Sequence, residues 1–262
     1  SNRRSFLLRS SPAMAAAPLA ACAGSTPPAT TTPAPTSTSS STPAAAPPER
    51  PLAIGRAGSA PLDPPGQKLG VGGTQLGSVF QATSDETAYG MLEAAWEAGV
   101  RYFDTSPWYG LGLSERRLGN FLDDKDPSEY LLSTKVGRVL YPDADAGQIG
   151  IWMDENHFGH RYDYTAEGVR KSIEDSLQRL GVPKIDIVLI HDLAPSNTDL
   201  DDYEAQLRVA MDGAMPELTR LREEGLIRGW GMGVNDIEPA LAAMENADPD
   251  VILQACQYSL ME

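Results

Sequence analysis

The stretch Ile185-Asp186-Ile187-Val188-Leu189-Ile190-His191 is an almost unbroken apolar run that closes on a histidine. Apolar residues at successive rather than alternate positions suit a strand buried on both faces, which is the habit of parallel sheets covered by helices. Just before it, residues 165–180 carry Val169, Ile173, Leu177 and Leu180 at helical spacing and stop at Gly181. Thr165 and Glu167 give that helix a start signal and an acid near its positive end.

Outward from this pair the same unit repeats. Toward the N-terminus the pattern predicts strands over 100–104 and 130–136, helices over 85–98 and 115–122, and a Gly-rich apolar run over 69–76. Toward the C-terminus it predicts a helix over 215–224 ended by Gly225, a strand over 227–234, a short helix over 239–244 and a strand over 251–258. Strand then helix, repeated, makes this an α/β chain with a parallel sheet, and periodicity leaves a doubly wound sheet and a barrel both open. Residues 138–164 fit neither pattern and read as a long polar loop, a substrate-facing lid with Trp152 as its apolar wall. His157 and His160 in that loop, near Asp154 and Glu155, read as solvated rather than as metal ligands, and Cys256 reads as a packing residue.

The strands end on polar side chains: Asp104, Lys135, His191 and Asn235, with Tyr109 five residues beyond Asp104. Barrel enzymes assemble their sites from the C-terminal ends of several strands, so this placement favours a (β/α)8 TIM barrel. The run Gly70-Val71-Gly72-Gly73-Thr74-Gln75 departs from the GxGxxG spacing of a Rossmann turn. Taken singly, each polar residue also has an ordinary structural use. Asp104 and Lys135 could form an ion pair, Tyr109 could pack beside Trp108, and His191 could be a core histidine.

Three ordered segments, Phe103-Asp104-Thr105-Ser106-Pro107-Trp108-Tyr109-Gly110, Ser133-Thr134-Lys135-Val136-Gly137 and Ile187-Val188-Leu189-Ile190-His191, resemble the signature regions of the aldo-keto reductase superfamily. Leu113-Ser114-Glu115-Arg116-Arg117-Leu118-Gly119 and Gly225-Leu226-Ile227-Arg228-Gly229 resemble its branch of D-threo-aldose 1-dehydrogenase, L-fucose dehydrogenase and pyridoxal 4-dehydrogenase. The resemblance implies a TIM barrel, NADP or NAD as cofactor, and hydride transfer to or from a small-molecule carbonyl or sugar. It implies Asp104, Tyr109, Lys135 and His191 as the catalytic set, with no metal. Tyr109 would move the proton, Lys135 would favour its phenolate, Asp104 would hold Lys135, and His191 would orient the substrate oxygen. Asn235 and Gln254 would meet the nicotinamide carboxamide, with Asp104 also on the cofactor side. Two other readings stay open: a general carbonyl reductase, and a non-catalytic barrel relic or regulatory module at a membrane.

Residues 1–22, SNRRSFLLRSSPAMAAAPLAAC, have the layout of a signal peptide, and Asn2-Arg3-Arg4-Ser5-Phe6-Leu7 resembles the twin-arginine export motif. Leu19-Ala20-Ala21-Cys22 resembles a lipobox, which would make Cys22 a lipidation site and the export machinery and a bacterial membrane partners. Cleavage near Ala15-Ala16-Ala17 is the alternative. The Ala/Ser/Thr/Pro-rich residues 23–66 then read as a disordered tether and residues 67–262 as the barrel domain. These features predict an exported protein, in the periplasm or on the cell surface and lipid-anchored to a bacterial membrane.

Formal charge is -15 overall, but residues 1–50 hold four arginines and one glutamate, leaving 17 basic and 35 acidic residues, a net of -18, in the rest. An acidic body of this kind excludes an electrostatic nucleic-acid partner, and two cysteines exclude a disulfide scaffold. Six strands are counted by Tyr258, so the sequence predicts a barrel truncated after its sixth strand, two strand–helix units short of eight.

Overall fold

The computed structural model of the chain describes residues 62–65, 68–154 and 156–255. The signal-like residues 1–22 with Cys22, most of the expected tether, Cys256 and Tyr258 lie outside the described residues. The elements are β1 (Gly70–Gly72), α1 (Asp85–Glu97), β2 (Tyr102–Asp104), α2 (Leu113–Leu122), β3 (Leu131–Val136), β4 (Arg138–Gly147), β5 (Asn156–Tyr162) and α3 (Ala166–Leu180). They continue with β6 (Ile187–His191), α4 (Tyr203–Val209), α5 (Met215–Glu223), β7 (Gly229–Val234), α6 (Glu238–Asn246) and β8 (Val251–Gln254). Among the described residues no helix is long and apolar enough to cross a membrane.

Six strands form one all-parallel sheet in the order β1-β2-β3-β6-β7-β8, curled as an incomplete barrel wall. Every strand therefore lies beside its predecessor in the strand–helix series, as a barrel requires and a doubly wound sheet, with its reversed strand order, does not. The β6 run explains the unbroken apolar reading. Val188 and Ile190 pack with the helices in the main core, alongside Leu132, Trp230 and Met232, whereas Ile187 and Leu189 pack on the other face with Leu131 and Leu62. Each such side chain contributes about 1.5–3 kcal/mol through burial, so both faces favour a strand here. Leu62, on the tether side of the expected boundary at residue 67, is 8% exposed and belongs to that inner cluster.

Local signals set the helix ends. Ser84 Oγ accepts the Thr87 N–H at the start of α1, Thr165 Oγ1 accepts the Gly168 N–H at the start of α3, and Gly181 takes the left-handed conformation (φ 67°) that ends α3. The α2 segment locks three layers together. Ser114 Oγ donates to the Gly73 carbonyl at 2.7 Å, and Glu115, fully buried, accepts from Thr134 Oγ1 of β3 at 2.8 Å and from Arg179 Nε of α3 at 2.5 Å. A Cβ at Gly119 would overlap the Leu180 carbonyl, so the close approach of α2 to the end of α3 requires glycine.

Two expectations change. Residues 138–164 are not a polar loop: β4 and β5 pair as an antiparallel hairpin, with Arg138 opposite Tyr162 and Leu140 opposite His160. Pro142 and the acidic residues Asp143 and Asp145 interrupt the alternation that would have marked a strand. Helix α5 does not start afresh at Met215, because α4 runs through a π-helical turn over 210–214 into it. Gly213 in that turn allows contact with the backbone of Thr165 and Ala166.

Candidate active site

The C-terminal ends of β2, β3 and β6 bring Asp104, Lys135 and His191 together, and the loop after β2 adds Tyr109. Lys135, 2% exposed, donates from Nζ to Asp104 Oδ2 at 2.6 Å and to the Thr105 carbonyl at 2.9 Å. Asp104 accepts a second hydrogen bond on Oδ1 from Ser133 Oγ at 2.6 Å, so both carboxylate oxygens are occupied. Burial pushes the Lys135 ammonium toward losing its proton, but the Asp104 carboxylate and the Tyr109 side chain outweigh it, and its pKa is raised. The ammonium stands 4.6 Å from the centroid of the Tyr109 ring.

The Tyr109 ring meets that of His191 edge-on, with centroids 5.6 Å apart, and lies 5.9 Å from Trp152. A second tyrosine near the pair, Tyr102, bonds to Ser133 Oγ at 3.0 Å, and burial followed by the Asp104 charge pushes its phenol up to about 12. Tyr102 is thus held neutral behind the ion pair. Gly233 of β7 completes the floor, since a Cβ there would stand 3.3 Å from Lys135 Cε.

His191 is 5% exposed, and burial, then the nearby Arg138 and Lys135 charges, hold its pKa well below the ordinary value. It is neutral at neutral pH. Its Nδ1 lies 3.1 Å from Ser106 Oγ and 3.2 Å from Arg138 Nη1, while Nε2 lies 3.4 Å from Asp192 Oδ2. Tyr164 Oη donates to its carbonyl at 3.0 Å. Above these groups Trp108 meets Trp152 edge-on at 5.6 Å and the His160 ring at 4.5 Å. The hairpin therefore puts Trp152 in an aromatic wall beside Tyr109, although Trp152 itself is only 1% exposed. His160 is half-buried rather than solvated, and burial with the Arg138 charge lowers its pKa.

Asn235 is exposed one residue past β7, and Gln254 closes β8 opposite Val234. Gln254 Nε2 donates to the Asn235 carbonyl at 2.7 Å, so the two proposed carboxamide partners are neighbours. Gln254 keeps its carbonyl oxygen as an acceptor, and the Asn235 amide offers both a donor and an acceptor. That donor set fits a nicotinamide carboxamide. Among the described residues no group of three or more His, Cys, Asp or Glu could hold a metal ion.

Sequence reasoning missed Arg138, Asp192, Ser106, Ser133 and Tyr162. Two of these flank residues that it named: Arg138 follows the Lys135 segment directly and Asp192 follows His191. A charged residue abutting a buried apolar strand was the available signal, since such a charge must find a partner.

The family model for the aldo/keto reductase family matches residues 68–262. The chain is 40% identical over 199 residues to D-threo-aldose 1-dehydrogenase of Pseudomonas sp, covering 74% of this chain and 58% of that protein. It is 38% identical over 209 residues to pyridoxal 4-dehydrogenase of Microbacterium luteolum, covering 74% and 59%. Among solved structures, glycerol dehydrogenase from Gluconobacter oxydans superposes with a TM-score of 0.51 at 27% identity, over 73% of this chain and 54% of that one. The chain spans somewhat over half the length of these curated relatives. With a family model that covers nearly three quarters of its residues and a barrel-wall fold to match, the chain belongs to the aldo/keto reductase family.

Proposed function

We propose that the protein is an NAD(P)-dependent oxidoreductase that moves a hydride between nicotinamide and a sugar or other carbonyl or alcohol, in the manner of an aldose 1-dehydrogenase. The observation that carries this reading is the buried Lys135–Asp104 pair set beside Tyr109 and a neutral His191 at neighbouring strand ends. Bound nicotinamide, with its carboxamide against Asn235 and Gln254, would supply or take up the hydride. Hydride arrival at a carbonyl carbon leaves charge on its oxygen, which needs a proton and a polar cradle. Tyr109 supplies that proton in reduction and accepts it in oxidation. Lys135, kept charged by Asp104, places a fixed positive charge beside the ring that must carry negative charge while the proton is away. His191 donates a hydrogen bond to the same oxygen and fixes its direction. Trp108, half-buried and backed edge-on by the buried Trp152, gives the ring face of a sugar an apolar surface.

The named activities of the 40%- and 38%-identical relatives, on an aldose and on pyridoxal, support a polyhydroxylated or aromatic aldehyde-level substrate. The test is nucleotide binding and turnover by the 262-residue chain. Saturable quenching of its tryptophans by NADPH or NADH, and appearance of reduced nicotinamide with an aldose, is the expected result. Absence of both overturns the reading.

We also propose that the protein is exported by the twin-arginine route and anchored through lipidated Cys22. Arg3-Arg4, the lipobox-like Leu19-Ala20-Ala21-Cys22 and the Ala/Ser/Thr/Pro-rich tether support this. That route carries folded proteins, so a cofactor could travel already bound. Fatty-acid label on the wild type and none on Cys22→Ala is expected, and equal labelling of the two sinks the anchor.

A further inference from the structure

We propose that Arg138 is a positioning residue that fixes His191 as the tautomer carrying its hydrogen on Nε2, an inference that rests on the reading of His191 as the donor to the substrate oxygen. Arg138 is 4% exposed and enters directly after Gly137, whose φ of 105° and contact with Tyr164 admit no side chain. The two terminal nitrogens of its guanidinium are hydrogen-bonded and the plane lies against two aromatic rings, while Nε makes no hydrogen bond among the described residues. The carbon stands 4.8 Å over the Trp108 ring and 5.0 Å over the Tyr162 ring, Nη1 donates to Asp192 Oδ2 at 3.0 Å, and Nη2 donates to Tyr162 Oη at 3.1 Å. Tyr162 is in turn held by Asn197 Nδ2 at 3.0 Å.

The same Nη1 lies 3.2 Å from His191 Nδ1. A guanidinium has five hydrogens to donate and no lone pair to accept with, so the nitrogen facing it must present a lone pair. Ser106 Oγ is compatible with the choice: while accepting the Trp108 N–H at 3.1 Å it has its own hydrogen to donate to Nδ1, also at 3.1 Å. With two donors on Nδ1, the ring hydrogen resides on Nε2. On that side Asp192 Oδ2 lies 3.4 Å away, longer than an ordinary N–H···O bond, so the Nε2 hydrogen remains available.

A second proton on the ring would set one N–H against another, which deepens the neutrality that burial imposes. The charged and titratable groups facing His191 are Lys135 from β3, Arg138 from β4, Asp192 from the loop after β6, and the phenols of Tyr109 and Tyr164. Of these only Arg138 reaches a ring nitrogen with a hydrogen that it cannot lose. Without it, His191 could turn a lone pair toward the substrate oxygen, or take up a proton against Asp192.

The chain has three histidines, so the nitrogen NMR spectrum of histidine-labelled protein can be read directly, with His191→Gln identifying the resonances of that ring. The expected wild-type spectrum shows a lone-pair nitrogen at Nδ1 and a hydrogen-bearing nitrogen at Nε2, unchanged across about pH 5 to pH 8. Hydrogen on Nδ1, or a mixture of tautomers, in the wild type overturns the proposal with no variant needed. Arg138→Met is expected to mix the tautomers and raise the titration midpoint of His191 by about one pH unit or more, and Arg138→Lys to restore part of the Nε2 form. A folded Arg138→Met with the wild-type spectrum and titration reduces Arg138 to packing and overturns the assignment. None of these readouts depends on turnover, so a chain with the expected spectrum and no dehydrogenase activity counts against the oxidoreductase reading alone.

Discussion

The two ends of the parallel sheet both bury carboxylates, and they use them differently. At the N-terminal ends of the strands, Asp186 accepts the Leu132 N–H at 2.9 Å, and Asp250 accepts the Trp230 N–H at 3.0 Å together with Arg222 Nη1 at 2.6 Å. These acids tie one strand's backbone to the next element, and their cations are arginines or lysines that also touch solvent or neighbouring acids. At the C-terminal ends Asp104 accepts only side chains, Ser133 and Lys135, and the cation that it holds looks across at Tyr109. A buried carboxylate that accepts from backbone contributes to the fold, whereas one that takes only side-chain donors and holds a cation against a proton-bearing ring is set up for chemistry.

Lys135→Met strikes the second kind of pair hardest. It leaves Asp104 buried with no cation, which costs about 3–5 kcal/mol of stability, and removes the charge beside Tyr109, so turnover falls by at least about 10²-fold. Denaturant unfolding and a steady-state assay read the two effects separately. Tyr109→Phe sharpens the contrast because it removes the hydroxyl and its proton but keeps the ring that packs beside Trp152 and His191. Turnover is expected to drop by about 10²–10⁴-fold with the melting temperature and nucleotide quenching unchanged. A Phe variant that keeps wild-type turnover would return Tyr109 to a packing role beside Trp152. Asp250→Asn does the reverse at the other end. Its side chain still accepts from Trp230 but no longer pairs with Arg222, so stability falls by about 1–3 kcal/mol while turnover per folded molecule is unchanged.

That contrast was only half legible in the sequence. The six parallel strands could be read because runs such as Ile187 to Ile190 are apolar at every position, and the structure uses both faces of that run. The polar residues closing the runs gave Asp104, Lys135 and His191, since a polar side chain that ends a buried strand has few places to go. Arg138 and Asp192 stayed hidden because their partnership is long-range: 54 positions separate them, and nothing local to either marks the other. The β4–β5 hairpin was lost for a local reason, as Pro142, Asp143 and Asp145 break the alternation that makes an antiparallel strand visible. Helix α4 was lost because Pro216, a good first-turn residue, imitates a helix start within what is one continuous helical run.

The smallest predicted effect separates the two ends by pH. In the unfolded chain His191 titrates near the ordinary histidine value, about 6.5, whereas in the folded chain burial, Arg138 and Lys135 hold it neutral far below that. The unfolded state therefore binds the extra proton first as pH falls, and folding stability declines as pH drops below about 6.5, by at most about 1.4 kcal/mol per pH unit from this group. His160, also held down by burial and Arg138, adds a slope of the same sign. His191→Gln, which keeps a polar side chain but cannot titrate, should flatten the decline between about pH 6.5 and pH 5 without altering that from His160. Unfolding free energies measured across this range check it. An unchanged slope in His191→Gln would mean that His191 titrates alike in both states, and the neutral donor placed at the C-terminal end of β6 would be lost from the mechanism.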